Sequence, residues 1–84
     1  ESLRRSQCDV ADLNLFDSSL LSGSTEVEVK VRYATPAMPA TIQSRSDGTL
    51  RITFHEPQRA LSPGQSAVFY RNNHVLGGGI IQSF

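Results

Sequence analysis

The sequence has few of the residues from which catalytic and metal-binding sites are built. It contains one cysteine, Cys8, no tryptophan, and two histidines, His55 and His74. A zinc site needs three or four ligands at short local spacings, and these residues are scattered. A single cysteine excludes an intrachain disulfide and fits a reducing compartment. We therefore predict no catalytic residue and no metal ligand, and we expect Cys8 to be an unreactive thiol.

Net charge and long apolar runs are also missing. Eight Lys and Arg balance eight Asp and Glu. Because nucleic-acid affinity comes largely from neutralising phosphates, an autonomous binder usually carries a positive excess. Any RNA contact should therefore be weak alone and should work beside another surface. No apolar run approaches the ~20 residues of a membrane span, and Glu1–Arg5 does not open a signal peptide. We expect a cytoplasmic protein without membrane contact.

What is present is a pattern of short strands separated by turns. The valines of Thr25–Tyr33 alternate with charged residues, and Leu50, Ile52 and Phe54 alternate with polar ones. A period of two indicates strands with one face in a core. Asp47-Gly48 predicts a hairpin with a primed turn, since both residue types tolerate positive φ. Further tight turns are predicted at Pro63-Gly64 and Asn72-Asn73.

The beginning of the chain is less regular than the rest. Residues 1–8 are charged without a clear period, which indicates a frayed arm or an incoming linker. Val10–Phe16 supplies a first strand, and the serine-rich residues 17–25 form a loop. We divide the single domain into residues 1–24, with arm, first strand and loop, and residues 25–84, the core. Because the chain begins without Met, we expect it to be part of a longer protein.

Composition and turn spacing favour an all-β fold. Ala67–Tyr70 is apolar on both faces, which predicts a strand covered on both sides. Gly77–Gly79 removes side chains where a strand bends or another backbone comes close. No amphipathic helix of convincing length is visible, and a closed barrel leaves no exposed edge. We predict a small closed antiparallel β-barrel of about six or seven strands.

Two blocks of residues resemble a known family. One contains Glu56-Pro57, Pro63-Gly64-Gln65, the strand Val68-Phe69-Tyr70 and Gly77-Gly78-Gly79. The other contains Lys30-Val31-Arg32-Tyr33 and Pro39-Ala40-Thr41-Ile42. In this order they resemble the carboxyl-terminal domain of the bacterial tRNA-specific 2-thiouridylases, over residues 27 to 82. The resemblance implies a β-barrel similar in shape to the barrels of translation factors.

The resemblance also implies a parent enzyme whose chemistry lies outside this chain. That family thiolates the wobble uridine of tRNA, using ATP with magnesium at a Ser-Gly-Gly-x-Asp-Ser loop, and moves sulfur with two cysteines. Neither the loop nor a cysteine pair occurs here. Gly77–Gly79 leads into a strand-like segment rather than the helix that a phosphate loop needs. We expect no cofactor in this domain, with ATP and a sulfur-carrier protein bound by the rest of the parent chain.

Four residues are the candidates for contact with the anticodon region of tRNA. Arg32 and Tyr33 match the family's Arg-Tyr pair; arginine can hold a phosphate, and tyrosine can stack on an unpaired base. Arg32 falls on the polar face of its strand, whereas Tyr33 falls on the core side and could be a core-edge aromatic. Gln65 is implied as a contact by the resemblance, or it organises its loop through backbone hydrogen bonds. Lys30 shares the outer face with Arg32.

Two other functions remain open. The barrel could be a structural module that packs against the catalytic domain and touches no RNA, as zero net charge favours. It could also be a stand-alone barrel that binds a small ligand or a protein, which requires an apolar pocket. Glu56-Pro57 and Arg59 match the family but suggest no chemistry, so we interpret them as a salt bridge or a strand end.

Overall fold

Most of the chain folds into paired strands that form the wall of a barrel. The computed structural model describes residues 4–16, 23–31, 36–59 and 61–83. These residues form six antiparallel strands, which are β1 (Arg4–Leu15), β2 (Ser24–Lys30), β3 (Met38–Ser44), β4 (Leu50–Arg59), β5 (Ser66–Arg71) and β6 (His74–Ser83).

The strands close into a single barrel. Their order around the wall is β1-β4-β3-β2-β5-β6, and pairing of β6 with β1 completes the ring. The predicted all-β closed antiparallel barrel is confirmed. Closure pairs the strands that would be the edges of an open sheet, which removes a common route to aggregation.

The period of two determines which side chains fill the interior. On β2, Val27 and Val29 are buried, while Glu26 and Glu28 are exposed. Every strand contributes in this way to one core, which contains Cys8, Val10, Val27, Val29, Ala40, Ile42, Leu50, Ile52, Phe54, Leu61, Ala67, Phe69, Leu76 and Ile81. A filled interior argues against the stand-alone ligand-binding barrel, because such a protein keeps an enclosed pocket.

The predicted hairpins form, although one turn differs in type. Asn72 and Asn73 have φ of 51° and 68°, as a primed two-residue turn requires. The prediction of a primed turn at Asp47-Gly48 is wrong, because Gly48, with φ of 87°, is left-handed there and Asp47 is not. The Asp47 carboxylate accepts hydrogen bonds from the Thr49 N–H at 3.1 Å and hydroxyl at 2.6 Å. These bonds fit a longer loop that ends in a left-handed glycine.

Strand β1 begins earlier than the sequence pattern indicates. The interpretation of residues 1–8 as an arm or linker is wrong for residues 4–8, which belong to β1 and pair with β4. Cys8 is fully buried and continues the inward series that includes Val10. Backbone pairing with β4 holds the polar start of β1 in the wall, and the alternation of Cys8 and Val10 is the mark that this part of the strand leaves in the sequence.

Glu56-Pro57 marks an irregularity inside a strand rather than the end of one. Strand β4 continues past Glu56-Pro57 and ends at Arg59, so the strand-end interpretation is wrong for Glu56-Pro57 and holds for Arg59. On β1, Arg5 pairs with Gln58 of β4 and Gln7 pairs with Thr53. Residues 54–57 of β4 therefore lie opposite the single β1 residue between Arg5 and Gln7, which is a bulge. Proline has no N–H to donate to a ladder, and a bulge lets a strand pass it. The family-like Glu-Pro pair therefore has a structural explanation.

The glycine run allows two neighbouring backbones to approach β6. A Cβ on Gly77 would lie 2.5 Å from the Asn14 carbonyl oxygen, and one on Gly78 would lie 2.5 Å from the Ala67 carbonyl oxygen. This confirms the close-approach interpretation. A glycine run inside a paired strand is not a phosphate loop, which sits before a helix, so we derive no ATP-dependent step from it. In the described part of the chain, no helix is long and apolar enough to cross a membrane.

Candidate nucleic-acid interface

Basic residues gather at one end of the barrel. We define the basic end as the end where β1 starts and β4 finishes; Arg4 pairs there with Arg59, and Arg5 pairs with Gln58. β2 finishes at Lys30 on the same end, because its partner β3 starts there. Arg5 and Arg59 are exposed, and Lys30 is half-buried. Half of the eight basic residues thus lie at this end, so zero net charge hides an uneven distribution.

Carboxylates are distributed differently. Asp12 lies near the finish of β1 and Asp47 lies in the β3–β4 hairpin, both toward the opposite end of the barrel. Glu28 and Glu56 are exposed and precede Lys30 and Arg59 by two and three residues, so they partly offset the positive potential. Arg45 and Arg71 also lie toward the opposite end, so the described charges there balance. The positive excess is therefore at the basic end, and an uneven distribution of charge gives a local field even when the total charge is zero.

A cavity of about 150 Å³ lies at the basic end. It is lined by side chains from β2, β3, β4 and the adjoining segments, which are Val29, Val31, Pro36, Met38, Phe54, Gln58, Arg59 and Leu61. Arg32 and Tyr33 lie outside the described residues, between Val31 and Pro36 in the sequence. Their predicted roles therefore stay predictions, while Val31 and Pro36, the nearest described residues on either side, line the cavity.

Gln65 stands beside a rigid turn at the start of β5. Gly64 has φ of 95°, and the Gln65 N–H donates to the Ser62 carbonyl at 3.3 Å, as in the type II turn that Pro63-Gly64 predicts. The Gln65 side-chain oxygen accepts a hydrogen bond from the Ser62 N–H at 3.0 Å. Its backbone carbonyl also accepts from the Ile81 N–H at 2.8 Å. The loop-organising role is thus present, and it uses the side-chain oxygen while leaving the amide nitrogen for another partner.

Ion pairs on the outer wall engage several other charges. The Arg51 Nε lies 2.9 Å from Asp9 Oδ1, and Arg45 Nη1 lies 3.7 Å from the same oxygen. His55 Nε2 lies 2.8 Å from Glu26 Oε1. Among the described residues, no three His, Cys, Asp or Glu side chains gather as metal ligands would. The Arg51–Asp9 pair joins the neighbouring strands β4 and β1, whereas the His55–Glu26 pair joins β4 to β2 across β3. Neither pair suggests a reaction.

Cys8 belongs to the core. Its side chain is fully buried, and this burial raises the pKa of the thiol to about 12, with a smaller contribution from the nearby Asp9 carboxylate. A neutral thiol is a poor nucleophile and metal ligand. The prediction of an unreactive cysteine agrees with this environment.

Three members of the basic end are not predicted from the sequence. The sequence pattern places Arg4 and Arg5 in an arm and gives Arg59 no role in binding. Their proximity follows from the pairing of β1 with β4, which joins residues more than fifty positions apart. The inward alternation of Cys8 and Val10 is the available signal that β1 starts before Val10. The register itself could not be derived from one sequence.

The fold and the basic end define a small β-barrel domain. The chain belongs to the aminomethyltransferase beta-barrel domain family, whose model matches residues 5–81. It is 41% identical over 83 residues to a tRNA-specific 2-thiouridylase of Clostridium botulinum, covering 99% of this chain and 23% of that protein. The resemblance to the carboxyl-terminal domain of these enzymes is thereby confirmed.

In other relatives, too, the chain matches only a small part of the protein's length. A tRNA-specific 2-thiouridylase of Clostridium perfringens is 43% identical over 72 residues, covering 86% of this chain and 20% of that protein. One from Pelotomaculum thermopropionicum is 42% identical over 73 residues, covering 87% and 20%. The chain therefore spans about a fifth to a quarter of the length of the curated relatives it matches.

Proposed function

We propose that this chain is the tRNA-contacting β-barrel of a tRNA 2-thiouridylase. The parent protein would thiolate the wobble uridine in the cytoplasm, and the barrel would help to hold the anticodon region. The observation that carries the proposal is the basic end, where Arg5, Lys30 and Arg59 gather. The resemblance adds Arg32 and Tyr33, which follow Lys30 closely in the sequence. The name of the relatives, tRNA-specific 2-thiouridylase, supplies the substrate class.

The chemistry of the basic end suits RNA. Arginine guanidinium groups hold phosphate oxygens in a planar, bidentate geometry, and Lys30 adds a compact charge. The Gln65 amide nitrogen can donate to a base or a sugar oxygen while its side-chain oxygen keeps the turn in place. Tyr33 would stack on an unpaired base. The barrel would thus provide phosphate contacts that position the RNA, with few contacts that read its sequence.

Affinity from this surface alone should be low. Each neutralised phosphate contributes about one unit to the salt dependence of binding, and the basic end holds only a few cations. The carboxylates of Glu28 and Glu56 lie near them. The barrel would therefore act together with the rest of the parent chain. That remainder would bind ATP with magnesium and a sulfur-carrier protein, and it would perform the reaction.

The structural packing module remains the second candidate. It is favoured by zero net charge and by an apolar outer surface on β5 and β6 that the described residues leave open. The two functions are compatible, since a barrel can pack with one face and contact RNA with its end. They differ in what happens when a cation at the basic end is removed.

The test uses the full-length enzyme and tRNA. Arg59→Ala and Lys30→Ala should each weaken tRNA binding several-fold and lower the magnitude of the salt slope by about 1. Arg45→Ala is the matched control, because Arg45 lies in the hairpin at the opposite end, and Arg51 still holds its partner Asp9. Thermal unfolding of each variant identifies any loss of fold. Unchanged affinity in both test variants would leave the packing module as the function.

A further inference from the structure

The outer surface of β5 and β6 carries an open apolar groove. Gly78 pairs with Val68 and has no side chain, which leaves a depression on the outer surface between Val68 and Ile80. Phe16 and Val75 also line the groove, and they are 71% and 46% exposed. Its volume is about 330 Å³. No other large apolar side chains among the described residues are exposed to this extent.

The groove also explains a mismatch between sequence and structure. Ala67–Tyr70 is apolar on both faces, and a strand of this kind is usually covered on both sides. In the barrel, Ala67 and Phe69 are buried inside, whereas Val68 and Tyr70 on the outer face are only half-buried. No described residue completes the cover. Burying the exposed apolar area of this groove would stabilise a complex, because the gain is proportional to the apolar surface removed from water.

The character of the lining selects the kind of partner. The charged side chain in the groove is the carboxylate of Asp12, and no Lys or Arg lines it. A carboxylate repels phosphate, so RNA is a poor occupant. An apolar polypeptide surface fits, because a contiguous exposed apolar patch on a soluble domain commonly marks an interface.

We propose that the groove of Phe16, Val68, Val75, Gly78 and Ile80 packs against apolar side chains from the rest of the parent polypeptide. The relatives are four to five times longer than this chain, so most of such a protein lies outside the barrel. A segment joined covalently to the domain has a high effective concentration, which favours it over a free partner. The groove would fix the barrel so that its basic end faces the tRNA. This inference rests on the proposed function, since it requires the longer enzyme.

Photo-crosslinking in the full-length enzyme without tRNA tests the inference. Phe16→p-benzoylphenylalanine places a reactive ketone at the groove, and Gln43→p-benzoylphenylalanine is the control, because Gln43 is exposed on β3 across the barrel from β6. Mass spectrometry should find crosslinks from position 16, well above those from position 43, to residues of the same polypeptide outside the 84-residue domain. A dimer-sized product, a crosslink confined to the domain, or equal yields from the two positions would overturn the inference.

A second pair of variants measures the docking. Val75→Lys should raise the rate of protease cleavage between the barrel and the rest of the enzyme about tenfold, because cleavage follows the population of the opened form. Gln43→Lys places the same charge on an exposed strand position away from the groove and should leave the rate unchanged. Equal rates in both variants would contradict the inference. Neither experiment contains RNA, so their outcome is independent of whether the basic end contacts tRNA.

Discussion

The side-chain oxygen of Gln65 accepts a hydrogen bond from the backbone N–H of Ser62 at 3.0 Å. The bond closes the Pro63-Gly64 turn, which is anchored to β6 by the Gly64 N–H donating to the Ile81 carbonyl at 2.8 Å. One half of the amide therefore serves the loop. The other half, the nitrogen, is the half that we propose for RNA, so the two roles can be separated by chemistry.

Gln65→Glu separates them, because glutamate keeps an acceptor oxygen and loses the amide donor. The turn should survive, with the free energy of unfolding changed by no more than about 0.5 kcal/mol, while tRNA affinity of the full-length enzyme falls. Gln43→Glu makes the same charge change on the exposed face of β3 and should leave affinity unaltered. Denaturant unfolding and a tRNA binding titration measure the two effects. Equal affinities for the two variants would assign Gln65 to the loop alone.

Gly77 should be the glycine that tolerates substitution least. Its φ of 145° and the 2.5 Å approach of an added Cβ to the Asn14 carbonyl oxygen combine backbone strain with overpacking. Each effect costs about 1–3 kcal/mol, so Gly77→Ala should lower the free energy of unfolding by several kcal/mol. Gly48→Ala is the control, with a φ of 87° and no atom within 4 Å of the added Cβ. Gly48→Ala should lower the free energy of unfolding by about 1 kcal/mol. Equal losses of stability in the Gly77 and Gly48 variants would show that crowding at β6 is unimportant.

Cys8 should resist thiol reagents in the folded protein at pH 8, because burial raises its pKa to about 12. Reaction should wait for unfolding, and denaturant should restore the ordinary rate. Because the pKa of the thiol is higher in the folded protein than in the unfolded chain, the free energy of unfolding depends on pH. The stability linked to this thiol is fully present below about pH 9 and is lost as pH rises toward 12.

Variants at Cys8 test the same burial. Cys8→Ser places a hydroxyl in an apolar core and should cost about 1–3 kcal/mol. Cys8→Ala, which removes the sulfur without adding a polar group, abolishes the pH dependence between 9 and 12 that belongs to the thiol. Denaturant unfolding at about pH 8 and again above pH 9 checks both. Rapid labelling of the native protein at pH 8 would contradict the assignment of Cys8 to the core.

Glu26 should titrate below its ordinary value. The Thr41 hydroxyl donates a hydrogen bond to one carboxylate oxygen, His55 lies beside the other, and together they lower the Glu26 pKa, with Thr41 the larger cause. Stability linked to this carboxylate is present above about pH 4.5 and is lost as pH falls through the lowered pKa. Thr41→Val should move the carboxylate resonance's midpoint upward in an NMR titration. An unchanged midpoint would show that the hydroxyl does not hold the carboxylate.

The sequence was sufficient for the elements whose side chains alternate. Val27 and Val29 on β2, and Ile52 and Phe54 on β4, reveal their inward faces because burial selects apolar residues at every second position. The start of β1 and the bulge at Glu56-Pro57 could not be found in this way. Both depend on backbone pairing between segments distant in the chain, which leaves little mark on side-chain type.

In the candidate interface, too, some residues can be identified from the sequence and others only from the pairing of distant strands. Lys30 is identified from strand parity and Gln65 from the resemblance, and the structure places Lys30 at the end of β2 and Gln65 directly before β5. Arg5 and Arg59 become candidates only through the pairing of β1 with β4. Net charge is a misleading guide, because it sums over the barrel and the binding of phosphate depends on where the charges lie.

Whether the basic end contacts tRNA can be tested by a ¹⁵N NMR titration of the 84-residue domain with an anticodon stem-loop at low and moderate salt. We predict shifts at Lys30, Arg59 and Gln65 and at the backbone amides of Arg32 and Tyr33, and these shifts should weaken as salt rises. Residues of the opposite end, such as Asp47, should not respond. An absence of shifts at low salt, or shifts centred on the Asp47 hairpin, would contradict the claim that the basic end contacts tRNA.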